Sequence, residues 1–317
     1  MLKIFLCEPI HPRALALLKT RAEVFSDPAC LGRADAAISR NLRMDAAFLE
    51  QCPALKVIGI HGTGTDRVDL AAAAQRGVRV VYAPGENAQS VAELIVGLTL
   101  ALARRVYLAD RMLQTGEALA IADARLTGME LHGKTLGLVG VGSIARRAAE
   151  MFRRAFGMSI VGYSPSLTKE RAACLGIARC TCVREVFARA DVVSIGVPLT
   201  PQTRGLVGTA ELAAAKPGAL LVNTARGGVV DEDALYRALT QGPLGAAACD
   251  VLAHEPPALL RLPNFLATPH LGAATDEALL RVGMCVVEQI FTVLDGKTPA
   301  HECIGTTDRT DVESEHK

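Results

Sequence analysis

Residues 135–153 read TLGLVGVGSIARRAAEMFR: a short β-branched and leucine-rich run, a turn bearing two glycines, then a stretch of helical composition. Few folds admit that order. Gly140 permits a tight turn, Gly142 lets the backbone approach a pyrophosphate, and the small Ala145 lets helix and strand pack closely. The helix N-terminus, with Ser143 and Ile144, then offers unpaired amides and a partial positive charge to the phosphates. The pattern predicts a dinucleotide cradle in an α/β fold. Such a site is usually completed by an Asp or Glu about 20 residues on, which bonds the ribose hydroxyl and repels a 2′-phosphate. Here the second strand ends in GYSPS, and the position is Ser164, 19 residues beyond Ala145. Ser164 and Ser166 can donate to phosphate oxygens, and Lys169 or Arg171 can supply charge. The missing acid therefore favours NADP(H) over NAD(H).

Further apolar runs at 3–6, 55–60, 78–82, 159–163, 192–197, 219–223 and 245–249 alternate with alanine-rich helical stretches. That alternation predicts parallel sheets. With 317 residues, half of them hydrophobic, two moderate cores are expected. Ser90 and Glu93 have the spacing of a capping box at the head of an apolar helix ending near Arg104 and Arg105. A domain crossing is placed near residue 102. Arg146, Arg147, Arg153 and Arg154 read as a solvated helix face with a Glu150–Arg154 pair.

The formal charge of +1 gives no basic footprint for nucleic acid. The apolar helix at 91–103 contains Glu93 and is too short for a bilayer, so it reads as buried and no membrane partner is expected. The first residues lack a signal-peptide pattern, which predicts a cytoplasmic protein. Nine scattered cysteines read as reduced thiols, with no metal site. Cys180 and Cys182 are expected on one face of a strand. The polar stretch from about Gly305 to Lys317 is expected to be disordered.

Seven segments, in order, carry a resemblance. HGTGTDRVDL (61–70), NAQSVAE (87–93), GKTLGLVGVGSIA (133–145), VPLTPQTRGLV (197–207), VNTARGGVVDEDAL (222–235), CDVLAHEPP (249–257) and TPHLGAAT (268–275) are similar to those of the D-isomer-specific 2-hydroxyacid dehydrogenases. The resemblance covers residues 35–300 or so. It implies two flavodoxin- or Rossmann-like parallel-sheet domains with the active site in the cleft between them. The substrate-binding domain would take 1–101 and 287–317, the dinucleotide-binding domain 102–286.

By the same matching, Arg226, Glu255 and His270 form the catalytic trio, and Thr63 and Gly64 hold the substrate carboxylate with Arg226 and His270. The implied cofactor set is Gly140, Gly142, Ser143, Ile144, Ser164, Pro198, Thr203, Thr224, Ala225, Arg226, Asp250 and His270, with Asp250 near the nicotinamide. Reduction of a 2-keto acid delivers a hydride to the carbonyl carbon while the oxygen takes up a proton. An imidazolium suits that transfer in both directions. Glu255 would fix the tautomer of His270, and the planar fork of Arg226 would polarise the carbonyl and pair with the carboxylate. His254 is poorly placed to share Glu255, and His61 lies in the substrate loop, where it can tune specificity.

The expected substrate is a small 2-keto acid, hydroxypyruvate or glyoxylate foremost, and the expected assembly a homodimer formed through the apolar helix. Arg40 and Arg43 read as surface charge. The alternative is a dinucleotide-sensing binding protein of the corepressor type. The chain departs from the family in having no Trp, which relatives place in the segment matching 118–128.

Overall fold

A computed structural model of the chain describes residues 1–117, 123–254 and 257–303. The polar stretch from Gly305 and the catalytic candidate Glu255 lie outside the described residues. The chain begins with β1 (Leu2–Leu6), α1 (Pro12–Lys19), β2 (Ala22–Phe25), β3 (Ala36–Ser39), α2 (Ala46–Glu50), β4 (Val57–Ile60), α3 (Leu70–Gln75) and β5 (Arg79–Tyr82). Next come α4 (Ala88–Ala103), α5 (Val106–Gln114), β6 (Thr135–Val139), α6 (Ser143–Phe156), β7 (Ser159–Tyr163), α7 (Lys169–Cys174), β8 (Ala178–Arg179), α8 (Val183–Arg189) and β9 (Val192–Ile195). The rest is α9 (Thr209–Ala213), β10 (Ala219–Asn223), α10 (Glu232–Thr240), β11 (Leu244–Cys249), α11 (Pro257–Leu260), β12 (Phe265–Ala267), α12 (Asp276–Leu294) and β13 (Glu302–Cys303).

Two compact α/β units result, Met1–Asn87 with the stretch from Ala273 onward, and Ala88–Gly272. The first holds a six-stranded sheet in the order β13-β5-β4-β3-β1-β2, parallel except for β13 against β5. The second holds a seven-stranded, all-parallel sheet in the order β12-β11-β10-β9-β6-β7-β8. Its central strands read as unbroken apolar runs because both faces are covered: every residue of β9 and β10 is buried. Chain direction across that sheet reverses at β6, which has β7 on one side and β9 on the other. The glycine turn follows β6, so it lies at the switch point where such sheets bind ligands.

These limits differ from the expected crossing near 102 and return near 286, which both fall on helices. A helix with one continuous apolar face cannot divide its allegiance. In α4, Val91, Ala92, Ile95, Leu98 and Leu102 pack in one core with Leu136, Phe152 and Val222 of the second unit. In α12, Val282, Val286, Val287 and Ile290 pack in a core with Ile4, Ile38 and Val57 of the first. Burying one such aliphatic side chain contributes about 1.5–3 kcal/mol, so each helix follows its sheet whole.

Two local expectations need correction. Ser90 is not the cap of α4, which begins two residues earlier at Ala88; Glu93 accepts instead from the Gln89 amide at 2.7 Å. Cys180 and Cys182 do not share a strand face. The strand stops at Arg179, Cys180 is buried, and exposed Cys182 is the N-cap of α8. The apolar surplus of α4, from which a dimer surface was expected, is largely buried within its own unit. Among the described residues no helix is long and apolar enough to cross a membrane.

Candidate active site

The glycine turn has the geometry its sequence demands. Gly140 has φ +92°, and a Cβ there would lie 2.5 Å from the Gly196 carbonyl oxygen, so both conformation and space require glycine. Its amide donates to the Tyr163 carbonyl at 2.8 Å, tying the turn to β7. Gly142 is the N-cap of α6 with no side chain capping it, and a Cβ there would meet nothing within 4 Å. Among the described residues no side chain caps this helix terminus, which suits it to a phosphate. Behind it, Ala145, Ala148, Ala149 and Phe152 form the buried stripe of α6. These features fit a nicotinamide dinucleotide.

The loops that follow the neighbouring strands supply the rest. At the end of β7, Ser164 Oγ lies 3.2 Å from Ser166 Oγ on the exposed side. After β9, the Thr203 hydroxyl donates to the Pro198 carbonyl at 2.6 Å and accepts from the Thr200 amide at 2.8 Å, which closes that loop into a tight arch. The register aligns Asn223 with Cys249 and Cys249 with Ala267. Adjacent strands lie about 4.8 Å apart, so the loops carrying Thr224–Arg226, Asp250 and Thr268–His270 emerge side by side.

Each loop is fixed by contacts the sequence did not announce. Buried Asn223 accepts from the Ala225 amide at 3.1 Å, and its carbonyl accepts from the Asp250 amide at 2.9 Å. The Arg226 guanidinium, half-buried, donates back to the Ala225 carbonyl at 2.8 Å. Glu232 on α10 accepts from the Ala253 amide at 2.5 Å and the His254 amide at 3.3 Å, holding the backbone that leads to Glu255. His254 is exposed. His270 is exposed and has φ +58°, a left-handed conformation rare outside glycine.

Thr63 and Gly64 lie in the first unit, in the loop after β4. The Thr63 hydroxyl is 3.3 Å from both the Ala83 carbonyl and Asn87 Oδ1. His61, at the start of this loop, is 5% exposed. Burial, then the neighbouring Arg40 charge, lowers its pKa to about 4, so it is neutral at pH 7. Arg43 pairs with Asp45 at 3.4 Å on the surface. Glu8, missed in the sequence, accepts from the amides of Arg40, Asn41 and Leu42 at 2.7–3.0 Å and so shapes the loop after β3.

Residues 96–272 match the family described as D-isomer specific 2-hydroxyacid dehydrogenase, NAD binding domain. The chain is 41% identical over 309 residues to a D-3-phosphoglycerate dehydrogenase of Methanocaldococcus jannaschii, covering 94% of this chain and 58% of that protein. It thus spans a little over half the length of that relative. It is also 41% identical over 258 residues to a hydroxypyruvate reductase of Thermotoga maritima, covering 80% of this chain and 82% of the other. Among solved structures, an NADPH-dependent glyoxylate/hydroxypyruvate reductase from Sinorhizobium meliloti, in complex with NADP and malonate, superposes with a TM-score of 0.84 at 27% identity, over 95% of this chain and 96% of that one. With a matching domain over more than half its length and a relative of similar size at 41% identity, the chain belongs to the D-isomer-specific 2-hydroxyacid dehydrogenase family.

Proposed function

We propose that the protein reduces a small 2-keto acid to a D-2-hydroxy acid with a nicotinamide dinucleotide, with hydroxypyruvate or glyoxylate the favoured substrate and NADPH the favoured donor. The observation that carries the reading is the register that sets Arg226 and His270 on the loops after β10 and β12, the two strands that flank β11, in the sheet that also bears the glycine turn. The cofactor, when bound, supplies the hydride. The amides of Gly142, Ser143 and Ile144 would hold its pyrophosphate, and Ser164 would meet its adenosine ribose. Pro198, Thr203, Thr224 and Ala225, on the loops after β9 and β10, would contact it further along, with Asp250 and His270 toward the nicotinamide.

The His270 imidazolium gives its proton to the carbonyl oxygen as negative charge grows there, and takes it back in the oxidative direction. Glu255 orients that ring through its second nitrogen. Arg226 polarises the carbonyl and pairs with the carboxylate. The corepressor-type alternative is not favoured, since the named relatives are dehydrogenases and reductases. The NADP preference rests on the absence of an acid at Ser164 and is in keeping with the NADP bound to the Sinorhizobium meliloti enzyme.

The test is kcat/KM with NADPH and NADH on hydroxypyruvate and glyoxylate, for the native protein and Ser164→Asp. NADPH should win in the native protein, and the substitution should move the ratio toward NADH by about tenfold or more, as one charge repulsion near a phosphate is worth at least ~1.4 kcal/mol. A tenfold NADH preference in the native protein, or a ratio untouched by Ser164→Asp, overturns the cofactor assignment.

A further inference from the structure

We infer that Glu232 is a positioning residue: it locks the loop after β11 onto the connection between β10 and α10, so that the backbone entering Glu255 is fixed relative to Arg226. The inference rests on Arg226, Glu255 and His270 acting as proposed above.

The connection that carries Arg226 is anchored independently. Val207 and Val230 form a parallel bridge, and the Asp231 amide donates to the Val207 carbonyl at 3.0 Å. Asp231 then caps α10 by accepting from the Ala234 amide at 2.9 Å. Glu232 is the first residue of that helix, and its carboxylate reaches across to the loop of another strand. One oxygen accepts from the Ala253 amide at 2.5 Å and the other from the His254 amide at 3.3 Å. Burial, then the charges of Glu232 and Asp250, pushes the Cys249 thiol above its usual range, so the Glu232 charge stands close to the end of β11.

A second contact, steric rather than polar, joins the same two loops. A Cβ at Gly227, the residue after Arg226, would run into the Leu252 carbonyl group and lie 2.5 Å from the Ala253 nitrogen. Only glycine lets the two backbones approach so closely. The loops therefore abut at Gly227 and are bonded at Glu232, and because the β10–α10 connection has its own anchors, the loop after β11 is the partner that moves when the bond is lost. The helix dipole alone does not account for Glu232. Asp233 stands in the same first turn, where a negative charge is favoured, and it is exposed.

The experiment is a double-mutant cycle in kcat between Glu232 and Glu255, with Asp233→Asn as the control that removes an equal charge from the same turn. Glu232→Gln keeps one acceptor oxygen and sets its NH2 group against the other amide, so one bond survives, whereas Glu232→Ala removes both. Since a misplacement of about 1 Å at a reacting group costs on the order of 100-fold, kcat on hydroxypyruvate or glyoxylate should fall about tenfold in Glu232→Gln and about 100-fold in Glu232→Ala. The Kd for NADPH and NADH, read by nicotinamide fluorescence, should stay within about threefold, and Asp233→Asn should keep kcat within about twofold. In the Glu255→Gln background Glu232→Ala should cost no more than about threefold further, because residues that act through one group are non-additive. Unchanged kcat in Glu232→Ala, equal losses in the two backgrounds, or an equal loss in Asp233→Asn overturns the assignment.

A readout free of turnover separates this inference from the proposed reaction. Diethyl pyrocarbonate acylates the neutral imidazole, and a carboxylate held beside the ring favours the imidazolium. The rate at His270, followed by peptide mass, should rise severalfold in Glu255→Gln and in Glu232→Ala, with no further rise in the double variant and none in Asp233→Asn. If no keto acid is reduced while the rates follow this pattern, the proposed reaction fails and the positioning role stands. A native rate in Glu232→Ala, or a rise that adds to that of Glu255→Gln, ends the positioning role whatever the activity.

Discussion

Acidification should loosen the first unit before the second, and His61 is the reason. Its imidazole titrates near 6.5 when unfolded and near 4 when folded, because burial at 5% exposure and the Arg40 charge both disfavour the imidazolium. The Glu8 carboxylate and backbone carbonyls push the other way and lose. Between these two values the unfolded chain binds more protons, so the stability is complete above about 6.5 and falls as the pH drops toward 4. At roughly pH 5 the loss is ~2 kcal/mol, from 1.36 kcal/mol per unit over about 1.5 units. Hydrogen exchange resolved by peptide, corrected for intrinsic rates, reads the effect directly. Protection of β3 and β4 should fall roughly 30-fold between about pH 7.5 and pH 5, and His61→Gln should abolish that dependence. Equal pH dependence in the native protein and His61→Gln would refute the reasoning.

Two further substitutions bear on the candidate site. His270→Asn should lower kcat by about two to four orders of magnitude with cofactor affinity unchanged, since a positioned general acid is worth that much; a fully active variant would refute the role. Gly140→Ala should lower the urea midpoint by an amount equivalent to about 2 kcal/mol or more, because the new Cβ faces the Gly196 carbonyl in a left-handed backbone. It should weaken dinucleotide binding with it, and a native-like midpoint would refute the close approach.

What could be read in the sequence followed from burial and backbone constraint. The central strands β9 and β10 are buried throughout, so their continuous apolar runs were visible. The strands that escaped notice are short or made of small residues: β2 is AEVF, β3 is AAIS, β8 and β13 have two residues each and β12 three. The glycine turn was legible because its geometry admits almost nothing else at Gly140. The helix limits that set the domain boundaries were not, since α4 and α12 are apolar enough to belong to either sheet and packing decides which.

At the site, motif order marked Arg226 and His270. The supporting groups carry no such signal. Glu232 meets Ala253 across 21 residues and Asp250 meets Leu271 across 21, separations that no helical or strand period records. His61 stands in GIHGTG like any loop histidine, and its lowered pKa arises only when the fold buries it and brings Arg40, just past the adjacent strand end, beside it.

The most direct test of the central claim follows the hydride itself. Reduced NADP carrying deuterium at the reactive ring carbon is incubated with hydroxypyruvate or glyoxylate and the native protein, and the product is analysed by mass and, for hydroxypyruvate, by chiral chromatography. The account predicts one deuterium on the former carbonyl carbon when the transferred face is labelled, a D-configured product from hydroxypyruvate, and loss of product in His270→Asn. Product without deuterium, an L-configured product, or binding of cofactor with no transfer to any 2-keto acid would contradict it.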